Sequence, residues 1–343
     1  MHDLLTSYLD QRKQFIKCDG VSSSQLSVDV GVPQGSILGP LLFLIHLNDL
    51  KYSTNLQTIN FADDTLLYQT IDNTEGVQEK LTHEMKKVKS WMNVNHLRLN
   101  ASKTKFMVFH PKKYKYKKLT NLKLKLDSDN EIEQVKQFKY LGLIIDQDLS
   151  WKSHIKYITT KLSRTLGLLY KTRHFMDKKC RLLLFNSLFL SYIQYGIICW
   201  GRAKITAKKP ISILYNKALR CINFSDFRDS STPLYIHYNL LKLDDIFNLE
   251  ICKFMFKWSK GTLPTIFNKY FVHINTIHNY QTRTSRQNFY ISKKLTRTGM
   301  CTLNYLGARL WREVPNALKE KSFCATFSYH MKRHLLNQYA LLV

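Results

Sequence analysis

The chain is 343 residues long, with 52 Lys and Arg against 25 Asp and Glu, a formal charge of +27. That length suits two domains or one elaborate one, and 44% hydrophobic content with 13% aromatics excludes disordered, collagen-like and low-complexity chains. A strongly basic chain that can fold points to a polyanionic partner, nucleic acid first and an anionic membrane surface second.

In chain order, Leu4 to Tyr8 reads as helix. A β-like stretch follows, with Phe15 and Ile16, then Val28 and Val30, flanking a turn of Gly20 and Ser22 to Ser24. A Gly/Pro loop opens residues 31–50, and LLFLIHLNDL continues it as an expected buried helix. Thr58 to Tyr68 reads as strand, tight turn and strand, with Asp63 and Asp64 at the turn. Val77, Leu81, Met85 and Val88 recur at helical spacing within Thr74 to Val94, and Trp91 closes the stripe. Leu97–Leu99 and Phe106–Phe109 bracket a short loop, the second piece a strand. Seven lysines crowd residues 112–125, read either as a solvated hairpin edge or as a phosphate-contacting rim. Phe138 to Ile145 is a further β-like run. From about residue 150 the pattern turns helical and basic, which places a boundary at 147–155.

Leu182 to Gly201 is twenty uncharged residues, long enough to span a bilayer. Asn186, Ser187, Ser191, Gln194, Tyr192 and Tyr195 are spread around its faces, so a buried helix is expected and no membrane partner. The N-terminus shows neither the apolar core nor the cleavage site of a signal peptide. Seven cysteines, an odd number without C-x-x-C spacing, favour a reducing compartment over a disulfide framework. His330 and His334 stand near Cys324 without a second cysteine at finger spacing, so exposed histidines are expected there and not zinc.

Two motifs carry chemistry. Phe61-Ala62-Asp63-Asp64-Thr65 puts paired carboxylates at a β-turn, oxygen ligands of the kind magnesium prefers; Asp-Asp is also ordinary turn chemistry. Gly31-Val32-Pro33-Gln34-Gly35-Ser36-Ile37-Leu38-Gly39-Pro40 lets the backbone approach a ligand, ahead of a helix N-terminus that favours phosphate. The Asp pair follows 28 residues after Gly35.

Together these segments resemble the reverse transcriptases of non-LTR (LINE-type) retrotransposons, the jockey-like group in particular. There a GxPQGSxLGPxLF segment borders the nascent base pair and FADDT supplies metal-binding aspartates. Leu97-Arg98-Leu99-Asn100, Lys103-Thr104 and Met107-Val108-Phe109 look like the next palm motif, whose lysine lies near the nucleotide phosphates. Phe138-Lys139-Tyr140-Leu141-Gly142-Leu143 is similar to the primer-grip hairpin. Trp151 with His154-Ile155 fits the start of the thumb. Gln194-Tyr195-Gly196, Trp200-Gly201, Asn279-Tyr280 and Thr282-Arg283 look like the C-terminal extension.

The resemblance implies an α+β fold: a partial right-hand palm over 1–150, an antiparallel sheet with helices, then a helical thumb and C-terminal extension over 151–343. It implies an RNA-directed DNA polymerase working on an RNA template, a DNA primer or target, and dNTPs. Asp63 and Asp64 would be the catalytic metal ligands for Mg2+ or Mn2+, with Lys103 beside the leaving pyrophosphate. Pro33, Gln34, Gly35 and Ser36 would line the nucleotide and template pocket, and Leu141 and Gly142 the primer grip. The family's upstream aspartate motif has no match, since Asp3, Asp10, Asp19 and Asp29 are the only acids before Gly31. An N-terminally truncated domain is therefore expected, with little or no activity unless a partner chain supplies the missing strand. A non-catalytic nucleic-acid-binding remnant is the alternative. The family's DNA target implies a nuclear or cytoplasmic location.

Overall fold

A computed structural model describes residues 2–72, 75–110, 122–126, 130–274 and 288–340. The chain divides at Phe138 into two compact units, Met1–Phe138 and Lys139–Val343. Most of the 112–125 lysine run, Asn279-Tyr280, Thr282-Arg283 and Arg286 lie outside the described residues.

In the first unit, helix α1 (His2–Leu9) precedes two nested two-residue pairings. Strand β1 (Lys13–Gln14) pairs with β4 (Leu26–Ser27), and β2 (Lys17–Cys18) with β3 (Val21–Ser22), all antiparallel around the Gly20 turn. Helices α2 (Gly39–Leu47) and α3 (Leu50–Ser53) follow, then the hairpin of β5 (Gln57–Phe61) and β6 (Asp64–Tyr68). Helix α4 (Val77–Val94) buries Val77, Met85 and Val88 on one stripe, as the spacing of its apolar residues predicts. A three-stranded sheet completes the unit, with β9 (Glu131–Gln134) between β7 (Lys105–Phe106), parallel to it, and β8 (Leu124–Lys125), antiparallel. Two small cores result. Leu56, Met85, Leu124, Leu126 and Ile132 form one, and Leu47, Leu50 and Val88 the other.

Helix α2 departs from the buried helix expected at 41–50. Only Gly39 and Leu47 are buried in it, whereas Leu41, Leu44 and Ile45 are 54, 45 and 61% exposed. A helix apolar on every side needs partners on every side. Among the described residues this unit supplies them only around Leu47 and Leu50, where Phe43, Trp91 and Leu97 pack.

A hairpin, β10 (Gln137–Tyr140) with β11 (Leu143–Asp146), spans the division and leads into the second unit. The single β-like run read over 138–145 is thus split by a turn, because Leu141 and Gly142 both take positive φ, 45° and 79°. Among the described residues the helices that follow are α5 (Lys152–Thr172), α6 (Lys178–Phe185), α7 (Ser191–Gln194), α8 (Ile197–Trp200), α9 (Ile205–Asn223), α10 (Thr232–His237), α11 (Leu243–Ser259), α12 (Arg297–Met300), α13 (Leu303–Glu313), α14 (Asn316–Lys319) and α15 (Cys324–Ala340). Ile155, Ile158, Leu162, Leu166 and Leu169 run down α5 at spacings of three to four and pack on Ile211, Tyr215, Ala218 and Leu219 of α9. On α11, Phe256 stacks on Phe327 of α15 with ring centroids 4.5 Å apart.

The uncharged stretch 182–201 is buried but is not one helix. A π-turn over Asn186–Leu190 separates α6 from α7. Tyr195 then goes extended and Gly196 left-handed, which ends α7 and starts α8. Phe185, Phe189, Ile193, Ile197 and Trp200 nonetheless form a fully buried stripe at the centre of this unit's core. Among the described residues, no helix is long and apolar enough to cross a membrane.

Candidate active site

Alternation along β5 and β6 sends Thr58, Asn60, Thr65 and Leu67 inward, while Ile59, Phe61, Leu66 and Tyr68 stay exposed on the other face. Phe61 lies opposite Asp64, so the connecting turn is the two residues Ala62 and Asp63. Ala62 sits at φ 51°, a left-handed conformation that costs an alanine about 1–2 kcal/mol. A turn this tight leaves both carboxylates on consecutive residues at the hairpin tip. Asp63 and Asp64 are exposed, and neither is neutralised by an ion pair among the described residues.

The Pro-Gln-Gly loop is shaped by its own serine. Ser36 Oγ donates to the Pro33 carbonyl at 2.7 Å and accepts from the Gly39 amide at 3.0 Å. A Cβ on Gly39 would stand 2.8 Å from the Pro33 carbonyl, so only glycine lets this loop fold against the start of α2. Arg12 anchors its entry through the Gly31 carbonyl at 2.6 Å. Gln34 and Gly35 remain exposed at the tip. Ser36, expected to face a nucleotide, here spends its hydroxyl within the loop.

Lys103 stands in the turn between α4 and β7. Asn100 builds that turn by accepting the Lys103 amide on its side chain at 3.1 Å and the Thr104 hydroxyl on its carbonyl at 2.8 Å. The lysine side chain is exposed. The aspartate turn, the Pro-Gln-Gly loop and the Lys103 turn belong to one unit, yet no hydrogen bond or ion pair among the described residues joins them.

Leu141 and Gly142 form the tip of the β10–β11 hairpin. The Tyr195 hydroxyl donates to the Leu141 carbonyl at 2.6 Å, and its ring lies 3.1 Å from where a Gly142 Cβ would be. The Ile144 amide donates to His154 Nδ1 at 3.3 Å. Burial pushes that imidazole down to about 4, so it is neutral near pH 7 with its proton on Nε2. Asp146 ends the hairpin by accepting the Ser150 and Trp151 amides at 2.8 and 2.7 Å, which starts α5.

Residues 2–145 match the reverse transcriptase (RNA-dependent DNA polymerase) family. That segment is similar to reverse transcriptases. The chain is 26% identical over 258 residues to the RNA-directed DNA polymerase from mobile element jockey of Drosophila melanogaster, covering 70% of this chain and 26% of that protein. It is likewise 26% identical over 263 residues to the probable RNA-directed DNA polymerase from transposon X-element of that fly, covering 71% and 27%. A third relative, the probable RNA-directed DNA polymerase from transposon BS, is 27% identical over 260 residues, covering 71% and 28%. The chain thus spans about a quarter of the length of these curated relatives. The mixed helices and small sheets of the chain are compatible with the α+β fold expected from that similarity.

The bracing roles of two residues escape sequence reasoning. Within the matched segment, Glu84 on α4 is 3% exposed and accepts from Thr54 Oγ1 (2.8 Å), the Asn55 amide (2.7 Å) and Lys87 Nζ (2.8 Å). It clamps the residues that lead into β5 and hence the aspartate hairpin. Lys87 first, with the Asn55 and Thr54 donors, holds its carboxyl at about 2 instead of 4.5, against the opposing effect of burial. We expect Glu84→Gln to cost about 1–3 kcal/mol in urea unfolding of the full chain near pH 7. The wild-type advantage is complete above the ordinary carboxyl value and is lost as pH falls from about 4.5 toward about 2. An unchanged midpoint at neutral pH contradicts the clamp. The other missed residue is Tyr195, whose hydroxyl fixes the β10–β11 tip. A glutamate within a charged helix reads as solvated, and nothing in the 182–201 run ties Tyr195 to a hairpin about fifty residues earlier.

Proposed function

We propose that this chain is the second half of the palm, with the thumb and C-terminal extension, of an RNA-directed DNA polymerase. The palm would occupy residues up to about 150 and the helical remainder would follow from 151. The observation that carries the reading is the strained two-residue turn presenting Asp63 and Asp64, uncompensated, within a segment that matches reverse transcriptases. The reaction is attack of a primer 3′-hydroxyl on the α-phosphorus of a dNTP, with pyrophosphate leaving.

Two exposed, unpaired carboxylates fit a divalent cation of the Mg2+ or Mn2+ kind, which keeps several waters and takes one or two protein carboxylates plus substrate phosphates. Among the described residues no group of three or more His, Cys, Asp or Glu gathers in metal-holding reach, so the fit is to one largely hydrated ion. A bound ion would supply charge stabilisation to the phosphoryl oxygens. Asp63 and Asp64 would hold it, and Lys103 would neutralise the departing pyrophosphate. Gln34 and Gly35, with Pro33 and Ser36 shaping their loop, would line the nucleotide and template pocket. The Leu141-Gly142 tip would grip the primer end. No observation favours a purely non-catalytic nucleic-acid-binding role over this one.

Primer extension on a poly-rA template with dTTP and magnesium tests the reading, with Asp63→Ala as control. With two carboxylates in place of a fuller set, extension by these 343 residues is expected to be several orders of magnitude slower than a complete polymerase. It should be magnesium-dependent and abolished by Asp63→Ala. Extension that persists in Asp63→Ala overturns the assignment of the site. Absence of extension with intact primer–template binding favours the binding role instead.

A further inference from the structure

The turn between α5 and α6 and the loop between α9 and α10 form one surface that the polymerase site does not use. Phe224, which ends α9 at φ 56°, is the joint. The Arg181 and Arg173 guanidinium groups lie 4.6 and 5.2 Å from the centre of its ring, and His174 meets it edge-on at 5.3 Å. Arg181 is fixed there, donating to the carbonyls of Arg173, Met176 and Ile222. Lys178 Nζ lies 2.9 Å from His237 Nε2, and Arg220 donates to the Asp229 carbonyl at 2.8 Å. Two segments far apart in sequence are thereby held as one rigid patch.

On that patch two aromatic rings stand out into solvent, Phe175 at 89% and Phe227 at 74% exposed. One exposed phenylalanine is ordinary. Two on adjoining turns that also carry several Lys and Arg are the composition of a single-strand binding platform, where bases stack on rings and phosphates pair with Lys and Arg. Asp177, Asp226 and Asp229 stay anionic, but Arg173, Lys178, Arg181, Arg220 and Arg228 outnumber them on these turns. Asp177 is engaged in accepting the Cys180 amide, while Asp226 and Asp229 accept the Arg228 and Asp226 amides within their own loop.

We propose that this surface binds unpaired RNA, with Phe175 and Phe227 stacking on bases and Arg173, Lys178 and Arg228 meeting phosphates. Duplex is a poor occupant because its bases already stack on one another. The choice of RNA over DNA rests on the polymerase reading, in which the template not yet copied is the unpaired strand.

Fluorescence anisotropy of the full chain at fixed salt tests this, with a labelled single-stranded RNA of about 12 nucleotides, the same sequence as DNA, and a blunt RNA duplex. Phe175→Ala with Phe227→Ala should weaken single-stranded RNA binding about tenfold or more and duplex binding less than about threefold. Phe175→Leu with Phe227→Leu keeps the apolar bulk without the flat rings and should lose as much; Trp at both positions should restore binding. Arg228→Ala should weaken all three ligands and reduce the salt slope by about 1. Equal losses for duplex and single strand, or no loss, overturn the platform, and tighter binding of DNA than RNA overturns the choice of RNA. The titrations contain no dNTP and are repeated with Asp63→Ala. A failed polymerase reading leaves the anisotropy losses in place, whereas a failed platform leaves Asp63-dependent extension in place.

Discussion

Trp200→Ala is expected to lower the unfolding free energy by about 4 kcal/mol, the upper range for deleting a buried aromatic. Trp200 has no exposed surface and sits in the core of the second unit with Ile197, Phe189 and Phe185. Its indole Nε1 donates to the Tyr195 carbonyl at 3.0 Å, across the break that separates α7 from α8. Deleting the ring therefore opens a cavity and releases the bend that aims Tyr195 at the β10–β11 tip. For a unit of this size the loss corresponds to roughly 10 °C in Tm. Trp200→Phe restores most of the packing and not the hydrogen bond, so it should cost less than half as much. A loss of about 1 kcal/mol or less for Trp200→Ala would mean the stripe from Phe185 to Trp200 is not the centre of this core.

Gly196→Ala is the second large effect, expected near 3 kcal/mol from two sources acting together. Gly196 sits at φ 59°, where any L side chain is strained, and an added Cβ would stand 2.7 Å from Leu143 Cδ2. The contact is reciprocal to that of Gly142 with the Tyr195 ring: each partner contributes one glycine and one side chain. A methyl at Gly196 would push Leu143, and with it β11, away from the socket. In a double-mutant cycle, Leu143→Ala should relieve part of the Gly196→Ala cost, giving a coupling of about 1 kcal/mol or more. Strict additivity would show that the hairpin is not seated where Tyr195 and Gly196 place it.

The sequence makes the local elements of the first unit legible because their signals are local. Alternation from Thr58 to Tyr68 marks β5 and β6 and the Val77–Val88 stripe marks α4; the Gly20 turn is marked too, but Phe15, Ile16, Val28 and Val30 fall outside the short strands beside it. Burial is less legible, since it depends on what else packs. Residues 41–47 are apolar enough for a core helix, yet Leu41, Leu44 and Ile45 are exposed because no element among the described residues of that unit packs on them. Tertiary turns are hidden for a similar reason. The extended Tyr195 and left-handed Gly196 interrupt what reads as one uncharged helix, and the reason is the hairpin tip about fifty residues earlier, which Tyr195 reaches through Leu141. Glu84 is invisible for the opposite reason. Its donors, Thr54 and Asn55, lie in a loop thirty residues upstream and carry no periodic signal.

Divalent-ion binding at the aspartate turn tests the central claim most directly. Mn2+ titrated into the full chain and followed by water-proton relaxation should show one weakly held ion per chain. That ion should be lost in Asp63→Asn with Asp64→Asn, with the thermal midpoint unchanged, because both side chains are exposed. A stoichiometry and affinity untouched by the double substitution would contradict the assignment of Asp63 and Asp64 as the ion-holding pair.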